Sequence, residues 1–156
     1  ILSEKTMIYA DLANAVRQFV GRIAGSSLEM TGLSIELLRY EGLVYASEEG
    51  ASAVLSLTDA GHDELVTLLK ATVRPPLTDM SKLVIALKMR FLPLLNDKER
   101  NDQVDLLIDS CELELARLSD LLNPGSEKLI FQDWLSHDIE LVETRLTWLQ
   151  ALRERV

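Results

Sequence analysis

Between Leu43 and Thr58 the apolar period of this chain changes from the helical to the extended kind, and that change limits what the flanking segments can build. "LVYA" (43–46) suits a strand, "SEEG" (47–50) a tight polar turn, and "ASAVLSLT" (51–58) returns with Val54 and Ser56 alternating against Leu55 and Leu57. A lone hairpin is marginal in water, so it must lean on neighbouring helices. One precedes it in "SSLEMTGLSIELLRYEG", with Ser26 or Ser27 as N-cap, Leu28, Leu33, Leu37 and Leu38 as an inward stripe, and Gly42 as the stop. Another follows, capped by Thr58, through "DAGHDELVTLLKATV", and ends before Pro75-Pro76, which reads as a linker.

The remainder is helical. "MIYADLANAVRQFVGRIAG" sets Ile8, Leu12, Ala15, Val16, Phe19 and Ile23 at three- and four-residue steps. A helix is expected from Thr78 through "DMSKLVIALKMRFLPLL". The next begins with an Asn96/Glu99 capping box and aligns Val104, Leu107, Ile108, Cys111, Leu115, Leu118 and Leu122. "NPGSE" breaks it. The last helix, from about Glu127, carries its apolar residues in heptad columns: Leu135, Val142, Leu149; Trp134, Leu141, Trp148; and Ile139, Leu146. Three adjacent columns are wider than one neighbouring helix covers, which favours a dimer interface over a simple intramolecular helix hairpin.

Charge bears on function. The 156 residues carry a formal net charge of −9. Residues 1–74 hold six Lys/Arg against ten Asp/Glu, a net of −4, and residues 75–156 hold ten against fifteen, a net of −5. Nucleic-acid affinity is driven largely by cations neutralising phosphates, so any DNA reader here needs a locally favourable face. No apolar run approaches the roughly 20 residues of a membrane span and no signal-peptide pattern is present, so a cytoplasmic protein is expected. The start at Ile1 rather than Met leads us to expect residues ahead of it. His62 and His137 make no metal-ligand spacing with Cys111, whose place on an apolar stripe suits a small core residue rather than a nucleophile. Phosphate loops and nucleophile elbows are missing, so neither enzyme activity nor a cofactor is expected.

Three segments resemble the PadR-like transcriptional regulators, in particular the branch with a virulence-activator type of helical C-terminal domain. They are "EGLV" (Glu41–Val44), "LSLTDAGHDEL" (Leu55–Leu65) with its "LT-x-x-G", and "WLSHDIELVETRLTWLQAL" (Trp134–Leu152). The resemblance implies a mainly α fold with a small β-hairpin wing: an N-terminal winged helix-turn-helix over 1–74 and a helical dimerisation domain over 77–156. It implies a homodimer on pseudo-palindromic operator DNA, and in some branches a small aromatic ligand. Ser27–Tyr40 maps to the recognition helix and Leu43–Thr58 to the wing. Candidate DNA contacts are Ser26, Ser27, Thr31 and Ser34, with Arg17, Arg22 and Arg39 on phosphates. Candidate interface residues are Leu107, Cys111, Leu115 and Leu118, with Trp134, Leu135, Leu141, Val142, Leu146, Trp148 and Leu149. The chain departs from the family in having Tyr9-Ala10 for Gly-Tyr, Gly32 for a Tyr, Glu36-Leu37 for Lys-Arg, and Glu48 and Glu49 at the wing tip. These changes remove phosphate contacts or add repulsion, and they leave an alternative open: a degenerate winged-helix dimer serving protein interaction or small-ligand sensing without DNA.

Overall fold

A computed structural model describes residues 1–24, 33–48, 52–73, 79–122 and 129–156. In chain order the elements are β1 (Met7–Ile8), α1 (Tyr9–Ile23), α2 (Leu33–Tyr40), β2 (Val44–Ala46), β3 (Val54–Leu57), α3 (Asp59–Leu69), α4 (Asp79–Phe91), a 3-10 turn (Leu92–Leu94), α5 (Asp97–Leu121) and α6 (Leu129–Arg153). They form two compact units: residues 1–71 with 82–90, and residues 72–81 with 91–156. The fold is mainly α with one small antiparallel sheet among the described residues.

In the first unit the expected hairpin is present, with Val44 opposite Leu57 and Ala46 opposite Leu55. It gains a third strand that sequence reading assigned to a helix. Met7 and Ile8 pair with Leu55 and Val54, giving the order β1-β3-β2. Leu12, Val44 and Leu55 make the core, with Met7, Val16, Ile35 and Ala46 packed against it. Leu37 and Leu38, expected to point inward, are exposed, because Ile35 is the α2 residue that reaches this core. In α1 the buried residues are Leu12 and Val20, whereas Ile23, and Ile8 just ahead of the helix in β1, are exposed.

A second cluster joins Val20 and Ala24 to Leu83, with Phe19 and Leu87 alongside. Residues 82–90, grouped on sequence with the helical domain, therefore pack within the winged unit. Buried Lys88 reinforces this by donating from Nζ to the Leu69 carbonyl at the end of α3. Burial lowers its pKa, since the charged form is the one that loses water. Arg90 spans Glu4 with two hydrogen bonds, 2.8 and 3.1 Å, and sits 5.2 Å from the Phe19 ring centroid. The linker pair Pro75-Pro76, Thr78 and the expected stop Gly25 lie outside the described residues.

The second unit is built on α5 and α6. Asn96 accepts from the Glu99 amide at 2.9 Å while Glu99 accepts from the Asn96 amide at 3.3 Å, the expected capping box. Pro93 falls in the 3-10 turn that separates α4 from α5, where its missing N–H costs nothing. The two long helices pack against each other antiparallel, tied by the ion pairs Asp105–Arg153 and Glu114–Arg145. Val104, Leu107, Cys111 and Leu118 of α5 are buried, as are Leu135, Ile139, Val142 and Leu149 of α6. Burial pushes the Cys111 thiol above its ordinary pKa, which suits a core side chain.

Candidate nucleic-acid interface

What fixes the hairpin against its helices is a junction of three residues. Gly42 ends α2 at φ +73°, where an L side chain is disfavoured. Its amide donates to the Arg39 carbonyl at 3.0 Å and the Leu43 amide to the Leu38 carbonyl at 2.9 Å, a Schellman stop. Thr58, the N-cap of α3, then uses its hydroxyl twice. It donates to the Gly42 carbonyl at 2.8 Å and accepts from the Gly61 amide at 3.0 Å. Gly61 must lack a Cβ, because one built there would lie 2.0 Å from the Leu43 carbonyl oxygen. The "LT-x-x-G" spacing thus has a mechanical reading: it locks the end of α2, the start of β2 and the first turn of α3 into one piece. Ser47 closes the far end of the hairpin, its amide donating to the Val54 carbonyl at 3.0 Å.

The candidate DNA contacts fall unevenly on this frame. Arg17 is exposed on α1 and donates to Asn14 Oδ1 at 2.9 Å, and Arg22 is exposed in the last turn of α1. Arg39 is held by Glu36 one turn back, at 2.9 and 3.2 Å, so its charge is already matched. Ser34 lies in the first turn of α2. Ser26, Ser27, Thr31, Gly32 and Glu49 lie outside the described residues. Glu41 and Glu48 are both exposed, one just after α2 and one two residues past β2. Sequence reasoning missed the aromatic character of this face. Tyr40 is 90 % exposed and Tyr45 59 %, and with Glu36, Arg39, Val44 and Ala46 they line an open groove of about 530 Å³. The signal was Tyr40 directly before the Glu41-Gly42 stop, with Tyr45 just beyond it in β2.

Of the expected interface residues, Leu107, Cys111, Leu118, Leu135, Val142 and Leu149 are buried within the one chain, and a partner cannot reach them there. The column Leu135–Val142–Leu149 belongs to the α5–α6 core. Leu115 and Leu146 are half-buried. The column Trp134–Leu141–Trp148 is different, since each member keeps about half of its surface: 53 %, 50 % and 49 %. Phe131 extends this stripe, its ring centroid 5.7 Å from that of Trp134. An exposed row of this size is unusual for a monomer surface.

Among the described residues, no group of three or more His, Cys, Asp or Glu could hold a metal ion, and no helix is long and apolar enough to cross a membrane. Compared with known sequences, residues 1–153 match the family described as AphA-like transcriptional regulator. No curated protein matches the chain. Among solved structures, Bacillus subtilis PadR in complex with operator DNA is 18 % identical, covering 99 % of this chain and 93 % of its own, with a TM-score of 0.40. The same regulator in complex with p-coumaric acid is 19 % identical, covering 99 % and 92 %, with a TM-score of 0.41. The Streptococcus mutans UA159 protein smu.1604c is 16 % identical, covering 96 % and 92 %, also at 0.41.

Proposed function

We propose that this chain, which belongs to the family of AphA-like transcriptional regulators, works in the cytoplasm as a homodimer that binds operator DNA. The observation that carries the reading is the Gly42–Thr58–Gly61 junction, which makes α2 and the β2–β3 hairpin a single presenting body. A helix and a wing held rigidly together are what insertion into a major groove and its flanking phosphates requires. On this reading Ser34 and the stretch holding Ser26, Ser27 and Thr31 supply hydroxyls to the DNA, and Arg17 and Arg22 supply phosphate contacts. The exposed stripe Trp134–Leu141–Trp148 is the natural self-complementary seam, because a two-fold axis pairs each such column with its own copy.

The experiment is retardation of the chain's own upstream promoter DNA, with random DNA of equal length as control, at two salt concentrations. Selective retardation at low salt with a shallow salt dependence is expected. An absence of retardation at low salt would refute direct operator binding and leave the protein-interaction alternative standing.

A further inference from the structure

We propose that the groove between the end of α2 and β2 docks an extended, Lys- or Arg-bearing segment of a partner protein. The groove presents two phenol rings largely to water, Tyr40 and Tyr45. Arg39 lines it too, but that guanidinium is matched by Glu36. Across residues 36–48 the charges are Glu36, Arg39, Glu41 and Glu48, three acids against one base, a net of −2. Neither Glu41 nor Glu48 forms an ion pair among the described residues, and both are exposed. Aromatic faces set beside carboxylates are the chemistry that recognises guanidinium and ammonium groups, through cation–π attraction and charge-assisted hydrogen bonds.

Two further observations narrow the occupant. Among the described residues β2 is an edge strand, since the sheet order is β1-β3-β2, so an extended segment can lie beside it. The chain as a whole carries −9, a field that draws in cationic partners and repels phosphate. α2 has eight residues, about 12 Å of helix. Its contribution to the groove is Glu36, Arg39 and Tyr40, none of them among the Ser and Thr hydroxyls assigned to DNA, so the docking site does not rest on operator binding.

The test uses the full chain and a fluorescein-labelled peptide, Arg-Val-Lys-Val-Arg-Gly, followed by fluorescence polarisation, with Glu-Val-Glu-Val-Glu-Gly as its opposite. The basic peptide should bind and the acidic one should not. Tyr40→Ala and Tyr45→Ala should each weaken binding about two- to fivefold, the range for an exposed cation–π contact. Glu143→Gln, an exposed carboxylate on α6, should leave it unchanged. Equal weakening by Glu143→Gln would show general attraction to an acidic protein and overturn the proposal, as would no binding at all. It also fails if the two Tyr variants weaken promoter DNA binding and leave the peptide untouched, because the groove would then belong to DNA.

Discussion

Gly61→Ala is the substitution most directly set by the geometry. The new methyl would lie 2.0 Å from the Leu43 oxygen, 2.9 Å from the Leu43 carbonyl carbon and 2.8 Å from Leu57 Cδ1. Leu57 can turn aside, but the Leu43 carbonyl is backbone and accepts the Thr58 amide at 3.2 Å. Reaching ordinary contact requires roughly 1.4 Å of main-chain displacement, well beyond what a packed junction absorbs without cost. That shift weakens the Thr58 bonds to Gly42 and Gly61, each worth about 1 kcal/mol, and adds an overpacking cost of about 1–3 kcal/mol. The helical preference of Ala returns up to about 1 kcal/mol, leaving a net loss of about 2–4 kcal/mol. Two other glycines calibrate the result. Gly21, inside α1 with nothing within 4 Å of a built Cβ, should gain about 0.5–1 kcal/mol on change to Ala. Gly42 also has open space, but its φ of +73° should cost Gly42→Ala about 1 kcal/mol. Urea titration by far-UV circular dichroism measures all three, and fluorescence of Trp134 and Trp148, both on α6, follows the helical unit alone. A Gly61→Ala protein as stable as Gly21→Ala would refute the close-approach argument.

Trp148→Glu should convert the protein to a 17.5 kDa monomer by light scattering. Its exposed half, roughly 120 Å² of ring, is worth about 3 kcal/mol per protomer when covered. An unchanged mass with helicity intact would exclude that seam. A pH series should separate wild type from Glu4→Gln. Its hydrogen bonds with Arg90 hold the Glu4 carboxyl below the usual carboxylate range. The pair therefore stabilises the fold above the unfolded carboxyl value and loses that contribution as pH falls through the lowered one. The stability difference between the two proteins should accordingly be present at neutral pH and vanish in acid, and a gap that persists below both values would exclude the ion pair as its source.

What could be read in advance was governed by local rules. Gly42 as a stop, Thr58 as a cap and Asn96 with Glu99 as a capping box are each decided within a few residues by backbone donors needing partners. The misses are all tertiary. Met7 and Ile8 continue the apolar spacing of α1 and so read as its first turn, and only pairing with Val54 and Leu55 makes them a strand. Leu37 and Leu38 matched an inward stripe, but an eight-residue helix has one contact turn, and Ile35 takes it. The division of α4 was hidden because nothing in "SKLVIALKMR" says which unit its apolar face will meet. In the candidate site Arg39 reads on sequence as a phosphate contact, although its (i, i+3) spacing from Glu36 allows the ion pair that the structure forms. The groove was not legible, since it depends on how β2 leaves the Gly42 turn.

The two proposals make opposite demands on charge, and the first unit separates them along the chain. Its candidate cations without an ion pair among the described residues, Arg17 and Arg22, sit on α1, while Glu41 and Glu48 follow α2 and β2. If those two arginines from each protomer are the phosphate contacts, four ions are released. The logarithm of affinity should then fall against the logarithm of salt with a slope near −3.6, by the roughly −0.9 per phosphate that holds for duplex DNA. A slope several units steeper would mean cations beyond this pair, and the residues outside the described set between α1 and α2 contain none: "GSSLEMTG" holds Glu29 and no Lys or Arg. The wing tip offers no cation either, because "SEEGAS" adds two glutamates. A steep slope would therefore force the phosphate contacts away from the helix and wing assigned to them. A slope near −3.6 that flattens to about half on Arg22→Ala, as the loss of two contacts per dimer requires, would tie operator binding to the end of α1.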